Sequence, residues 1–325
     1  GIMGVKGSPA VQRRYVRKSE EKMSDKKVTA DNAIVVAVDG SEASVSAVAW
    51  AANAALKRGT ALKLATAYTM PQFMYAAGMV PPQELDDELE NEALDKINNA
   101  REQVAQFSKD IPVSHVIAEG TPIDLLLELS ETADMVVMGS RGLGGLSGLV
   151  LGSVSSAVVA HSHSPVVVVR KDSDVTNDTK YGPVVVGVDG SEISRKAMDY
   201  AFREADARKA TLRAVHSWAD AQVQSTLVGL SAVQSQLDAL ADQERKMLED
   251  ELAPFREKYP DVEIEEVVDR DRPIQTLKEN SEDAQLLVLG SHGRGGFKGM
   301  LLGSTSRALL QYAPCPMMVV RPDAR

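Results

Sequence analysis

The sequence predicts two tandem α/β units, each a doubly wound five-stranded parallel sheet, and three features carry that prediction. The chain repeats itself: residues 34–42 return almost unchanged at 184–192, an offset of 150, and residues 135–170 align without a gap on 286–321, an offset of 151, with 16 identities in 36 positions. Short β-branched runs alternate with helical stretches in both copies, the pattern of a parallel sheet covered by helices. Those runs are apolar throughout rather than alternating, as strands buried on both faces require. At 325 residues the chain also exceeds a single domain of about 100–200 residues.

The elements follow in order. Residues 1–31 form a polar tail with no helical or strand period and no apolar secretory core. Met23-Ser24-Asp25 reads as a natural start, and the basic residues before it read as a solvated, disordered tail, with nucleic-acid binding as the rival. The first unit spans 32–171, with strands predicted at 33–38, 61–67, 113–118, 135–138 and 166–169. A helix over 42–56 places Val45, Val48, Ala49, Ala52 and Leu56 on one face. A long charged helix over 84–107 turns Leu85, Leu89, Ala93, Ile97, Ala100 and Val104 inward, and 122–132 and 153–160 supply two more helices. A polar link, 172–181, leads to the second unit, 182–325, with strands predicted at 184–188, 212–216, 263–268, 286–289 and 317–320.

Composition bounds the function. Hydrophobic residues at 44% and charged residues at 25% are the mix of a globular protein and exclude wholesale disorder. A net charge of −10 argues against nucleic acid and anionic membranes as partners. No apolar run approaches the roughly 18 residues of a membrane span. The single cysteine, Cys315, excludes an intrachain disulfide and suits a reducing compartment, so the expected location is cytoplasmic.

The informative segment is Gly139-Ser-Arg-Gly142, nine residues, then Gly152-Ser153; its second copy is Gly290-Ser-His-Gly293, nine residues, then Gly303-Ser304. A glycine turn leaving a strand lets backbone N–H groups approach an anion, and the following helix start adds open donors and a positive dipole end. Ser153 and Ser304 either offer a hydroxyl to the same phosphate or cap the helix. The competing structural reading, in which the glycines only make tight turns, is weakened by the duplication. Asp39 and Asp189 end the first strand of each copy, where ligand crevices of open α/β sheets lie. There each carboxylate accepts from an adenine or ribose donor, caps a helix, or does both.

On these residues the chain resembles the universal stress protein family, over 32–171 and 182–322, in the tandem form known in actinobacteria. The resemblance implies a strand order 3-2-1-4-5 and ATP, or AMP or ADP, as ligand, with magnesium bridging the phosphates as an accessory. It implies that Gly139, Gly142, Gly152 and Ser153 hold phosphates and ribose in the first site, and Gly290, Gly293, Gly303 and Ser304 in the second. Asp39 and Asp189 would contact the base, aided by main-chain groups near Leu62 and Leu212.

The copies also depart from each other: 119–122 reads Glu-Gly-Thr-Pro where 270–273 reads Arg-Asp-Arg-Pro, and Arg294 and Lys298 replace Leu143 and Ser147. Two sites of unequal affinity are therefore expected, one per unit. His292 and Arg141 occupy matching places beside the glycine loops, and the apolar stretch 70–82 either folds over the first nucleotide or packs at an interface. No Gly-Lys-Ser/Thr closes either loop, so a P-loop NTPase is not supported. No general base, nucleophile or dedicated lysine stands out beside the phosphates. The expected function is thus an adenine-nucleotide-binding stress or signalling protein. Its rivals are a slow magnesium-dependent ATPase, an AMP or cyclic-AMP module, and an interaction protein with empty loops. The fifth strands, apolar and at sheet edges by the family's order, predict an antiparallel internal pseudo-dimer; a further homodimer is left open.

Overall fold

A computed structural model describes residues 32–71, 73–74, 80, 82–142, 151–171, 182–218, 230–270, 272–294 and 301–324. The tail, the link at 172–181, Leu143, Ser147 and Lys298 lie outside the described residues. In the first copy the elements are β1 (Ile34–Ala37), α1 (Glu42–Arg58), β2 (Leu62–Tyr68), α2 (Gln83–Phe107), β3 (Val113–Glu119), α3 (Pro122–Ser130), β4 (Met135–Gly139), α4 (Ser153–His161) and β5 (Val166–Val169). The second copy repeats them as β6 (Val184–Gly187), α5 (Glu192–Arg208), β7 (Leu212–Trp218), α6 (Leu230–Lys258), β8 (Ile264–Arg270), α7 (Pro273–Glu279), β9 (Leu286–Gly290), α8 (Ser304–Tyr312) and β10 (Met317–Val320).

The strands form one ten-stranded sheet in the order β3-β2-β1-β4-β5-β10-β9-β6-β7-β8. Each half is parallel with the predicted order 3-2-1-4-5. The halves meet where β5 and β10 pair antiparallel, Met317 opposite Val168 and Val319 opposite Val166. Arg170, just after β5, donates to the Gln311 carbonyl at the end of α8 at 2.9 Å, and Arg321, just after β10, donates to the Ala160 carbonyl near the end of α4. Each arginine thus meets the negative end of the other copy's last helix.

Both faces of the sheet carry one continuous core each. Alternate strand residues such as Ile34, Val36, Val184 and Val186 pack with α1, α2, α5 and α6 on one face. Val35, Val136, Val185 and Leu287 pack with α3, α4, α7 and α8 on the other. This two-sided burial is the reason the central strands β1, β4, β5, β6, β9 and β10 are apolar at every position. The outer strands depart from the expected apolar runs, with β3 reading Val-Ser-His-Val-Ile-Ala-Glu and β8 Ile-Glu-Glu-Val-Val-Asp-Arg, because the sheet edge is only partly covered.

The inward face of α1 needs correction. Val45 and Leu56 are 50% and 48% exposed, while Ala47, Val48, Ala51, Ala54 and Ala55 are buried. An alanine face lets α1 settle closer to the sheet than larger side chains would, and it rotates the stripe away from Val45 and Leu56. The approach is so close that a Cβ on Gly139 would lie 2.8 Å from the Ala43 backbone. In α2, Ala93, Ile97, Ala100 and Val104 are buried as predicted, with Leu85 and Leu89 half-buried.

Candidate functional site

The crevice is built at the carboxyl ends of β1 and β4, which are neighbours in the sheet. Leaving β1, the chain turns through Gly40 at φ 85°, and Ser41 caps α1 by accepting from the Ser44 N–H at 3.2 Å. Asp39 is fixed within that turn: its Oδ1 accepts the Ser41 N–H at 2.9 Å and its N–H donates to Ser44 Oγ at 3.2 Å. The helix cap is therefore Ser41. Asp39 braces the turn just before it, and its other oxygen faces the glycine loop. A Cβ on Gly142 would collide with Asp39 Oδ2, so the strand-1 aspartate and the loop after β4 meet across the crevice as the sequence predicts.

Hydrogen bonds hold the two ends of the loop together. The Gly152 N–H donates to the Ser140 carbonyl at 2.8 Å, and buried Ser155 donates from Oγ to the Gly139 carbonyl at 2.9 Å. Gly152 is the N-cap of α4, in extended backbone at φ −74° and ψ 162°, with no side-chain hydrogen bond to the helix start. Ser153 is the first helical residue, and it is exposed. Its expected alternative role as a cap is corrected: the cap position belongs to a residue with no side chain, and the same holds for Gly303 ahead of Ser304. The cap at the head of α4 thus leaves the first-turn N–H donors without a side-chain acceptor.

A cavity of about 530 Å³ opens at this point, lined by Asp39, Gly139, Gly142, Gly152 and Ser153 together with residues the sequence did not single out. These are Ala65, Thr66 and Ala67 of β2, Leu125 and Leu126 of α3, and the cation Lys96; Arg141, beside the glycine loop, lines the cavity as well. Lys96 also pairs with Glu92 at 2.8 Å. No motif marks Thr66 or Lys96, because they come from elements distant in sequence and join the site only through the fold.

Leu62 and Leu212 are not part of the crevice. Both are fully buried at the amino ends of β2 and β7, paired with Ile34 and Val184, whereas the crevice lies at the carboxyl ends. The β2 residues that reach it begin at Ala65, three residues and roughly 10 Å further along a strand rising about 3.3 Å per residue.

The second copy reproduces the frame. Asp189 Oδ1 accepts the Ser191 N–H at 3.0 Å, its Oδ2 accepts the Arg294 N–H at 2.9 Å, and Ser306 Oγ donates to the Gly290 carbonyl at 2.7 Å. Its cavity is only about 130 Å³, lined by Asp189, Gly290, Gly293 and His292, with Gly303 and Ser304 outside the described lining. Within the stretch 70–82, Met70 and Met74 are buried and Phe73 and Val80 exposed; most of the rest lies outside the described residues. Cys315 is buried. No helix of the described residues is long and apolar enough to cross a membrane.

The sequence profile of the universal stress protein family matches residues 32–170 and again 180–321. The chain is 40% identical over 295 residues to Universal stress protein Rv2005c of Mycobacterium tuberculosis, covering 89% of this chain and 96% of that protein. It is 37% identical over 293 residues to a universal stress protein of Mycolicibacterium smegmatis, covering 89% and 97%. A crystal structure of a universal stress protein from Archaeoglobus fulgidus superposes with a TM-score of 0.62 at 19% identity, covering 90% of this chain and 98% of that one, a likeness of fold.

Proposed function

This chain belongs to the universal stress protein family, and from that premise we propose that it binds an adenine nucleotide at the carboxyl ends of β1 and β4, as a ligand more than a substrate, in a stress or signalling role. The observation that carries this reading is the 530 Å³ cavity where an uncapped helix start, a glycine loop and Asp39 converge. Its size falls within the roughly 300–1,000 Å³ of small-molecule sites.

Each side of the cavity offers a different chemistry. The N–H groups at the head of α4 and the backbone at Gly142 and Gly152 suit phosphate, with Lys96 and Arg141 adding positive charge. Asp39 is an acceptor for base or ribose donors, and the apolar wall of Ala65, Ala67, Leu125 and Leu126 suits a flat heterocycle. Magnesium enters this reading only as a companion of the phosphates. The division into units 32–171 and 182–325 and a cytoplasmic location belong to the same proposal.

Gly152→Asp tests it. A Cβ at Gly152 meets nothing nearer than 3.5 Å and the backbone there is ordinary, so the variant folds. An aspartate at an N-cap accepts from the helix N–H groups itself, which supports the helix and removes the anion site. Equilibrium dialysis of nucleotide-stripped protein against ATP, ADP, AMP and cyclic AMP should show uptake by the wild type without steady phosphate release. The variant should bind at least tenfold more weakly with no loss of melting temperature. Absence of uptake of all four by the wild type, with none in acid extracts of the freshly purified protein, would refute the reading.

A further inference from the structure

The two crevices share a frame and differ in what fills it, and on the nucleotide reading above we infer that only the first is a nucleotide site. The second is closed by its own side chains, His216 and Leu289 foremost, so the chain takes up one nucleotide and not the two its repeat implies.

Strand register makes the comparison residue by residue. Ala37 pairs with Ala65 in the first copy, and Gly187 pairs with Val215 in the second, which sets Thr66 and His216 at the same place. Thr66 lines the large cavity. His216 is 3% exposed and held at both nitrogens, Nδ1 against the Val188 carbonyl at 2.7 Å and Nε2 against Glu244 Oε2 at 2.8 Å. A threonine has given way to an imidazole pinned between the end of β6 and helix α6.

The helix above has changed in step. Lys96 and Met247 occupy matching places, each packing over the left-handed glycine after the first strand: Lys96 Cγ lies 3.7 Å from a Cβ built on Gly40, and Met247 Sδ 3.4 Å from one built on Gly190. Three residues earlier on each helix stand Ala93 and Glu244. The first crevice therefore has Lys96 where the second has Met247 with the Arg294 guanidinium lying over the same glycine, and the second has acquired the carboxylate that fixes His216.

The floor has closed as well. A Cβ on Gly187 would collide with Leu289 Cδ2 and sit 3.4 Å from Leu277 Cδ2, so these two leucines occupy the space above the strand. The first copy keeps the second leucine as Leu126 but has Ala37 and Met138 in place of Gly187 and Leu289, all three lining its cavity. What remains is about 130 Å³ against about 530 Å³. That is well below the roughly 300 Å³ at which small-molecule sites begin.

Counting nucleotides per chain by native mass spectrometry at saturating ATP tests this. One equivalent is expected for the wild type, well under one for Gly152→Asp at an ATP concentration that just saturates the wild type, and one still for Gly303→Asp, the same change at the second helix cap. Returning first-copy residues to the second crevice, His216→Thr with Glu244→Ala and Leu289→Met, should raise uptake toward a second equivalent. Two equivalents in the wild type, or loss of one in Gly303→Asp, would overturn the inference while leaving the nucleotide reading intact. Unchanged uptake in the folded triple variant would overturn the assignment to these side chains, and no uptake by the wild type overturns the nucleotide reading itself.

Discussion

Gly59 ends α1 in the left-handed region at φ 62°, and its N–H reaches back to the Ala55 and Leu56 carbonyls. A Cβ there would meet no atom within 4 Å, so Gly59→Ala isolates the backbone cost of that conformation. That cost is roughly 1–2 kcal/mol for a residue with a side chain. Urea unfolding should show a lower midpoint at unchanged slope. The equivalent residue of the second copy is Lys209, at φ 50°, and the fold tolerates a side chain there. Single residues of the site were legible in proportion to how special they are. Asp39, Gly139 and Gly142 sit at strand ends where only a carboxylate or a missing Cβ serves, and their identity alone announced them. Ser153 reads in the sequence as a hydroxyl donor or a cap, and the structure gives the cap position to Gly152 while Ser153 lines the cavity beside it. Leu62 failed because it rested on the family resemblance alone and sits at the amino end of β2, opposite the carboxyl ends where crevices of open α/β sheets lie.

The last strands carry the joint between the copies. In the β4–β5 ladder the Val136 N–H donates to the Pro165 carbonyl and the Ser140 N–H to the Val169 carbonyl. A parallel ladder alternates, so the N–H groups of Val167 and Val169 also face β4, while those of Val166 and Val168 face β10. The same reasoning from Leu287 and Ser291 turns the Met317 and Val319 N–H groups toward β5. Proline at Val168 or Val319 therefore removes a donor from the seam and none from the parallel ladder beside it. It leaves a buried carbonyl without its partner at a cost of about 1–3 kcal/mol. Thermal unfolding should change from one transition to two as the halves uncouple, whereas proline at Val167 should disrupt the first sheet itself; one unbroken transition for Val168→Pro would refute the seam's role. The pairing was readable in advance because an all-valine run at a sheet edge demands a neighbour. The helix faces were less so: alanine is compatible with either side of a helix, and the buried stripe of α1 emerges only once its distance to β4 is known.

What the repeat could not reveal is how the copies were made different where they touch. Arg58 at the end of α1 and Arg208 at the end of α5 are equivalent residues, 150 apart, and the pseudo-twofold brings both to one place. Two guanidiniums meeting in the interior repel, and burial lowers the pKa of both, Arg208 to about 9 with help from Arg58. The sequence breaks its symmetry there. Glu204, completely buried, pairs with Arg208 and, at 2.5 Å, with Arg58, while its counterpart in the first copy is Ala54. Asp134 adds a second carboxylate to Arg58, and Arg208 lies over the Trp50 ring at 5.3 Å. Among the described residues Glu204 is the one acid that serves both arginines, with Asp134 on Arg58 alone of the two. Removing a partner from a buried ionic group strands the charges that remain, typically at about 3–5 kcal/mol. Glu204→Ala should accordingly destabilise the whole molecule and not the second copy alone, since it leaves Arg58 of the first copy short of a counter-charge. Adding Arg208→Met removes one of the stranded charges and should recover part of the loss. A double-mutant cycle measures the coupling, and additive losses within about 0.5 kcal/mol, the behaviour of independent sites, would show that the three groups do not act as one network.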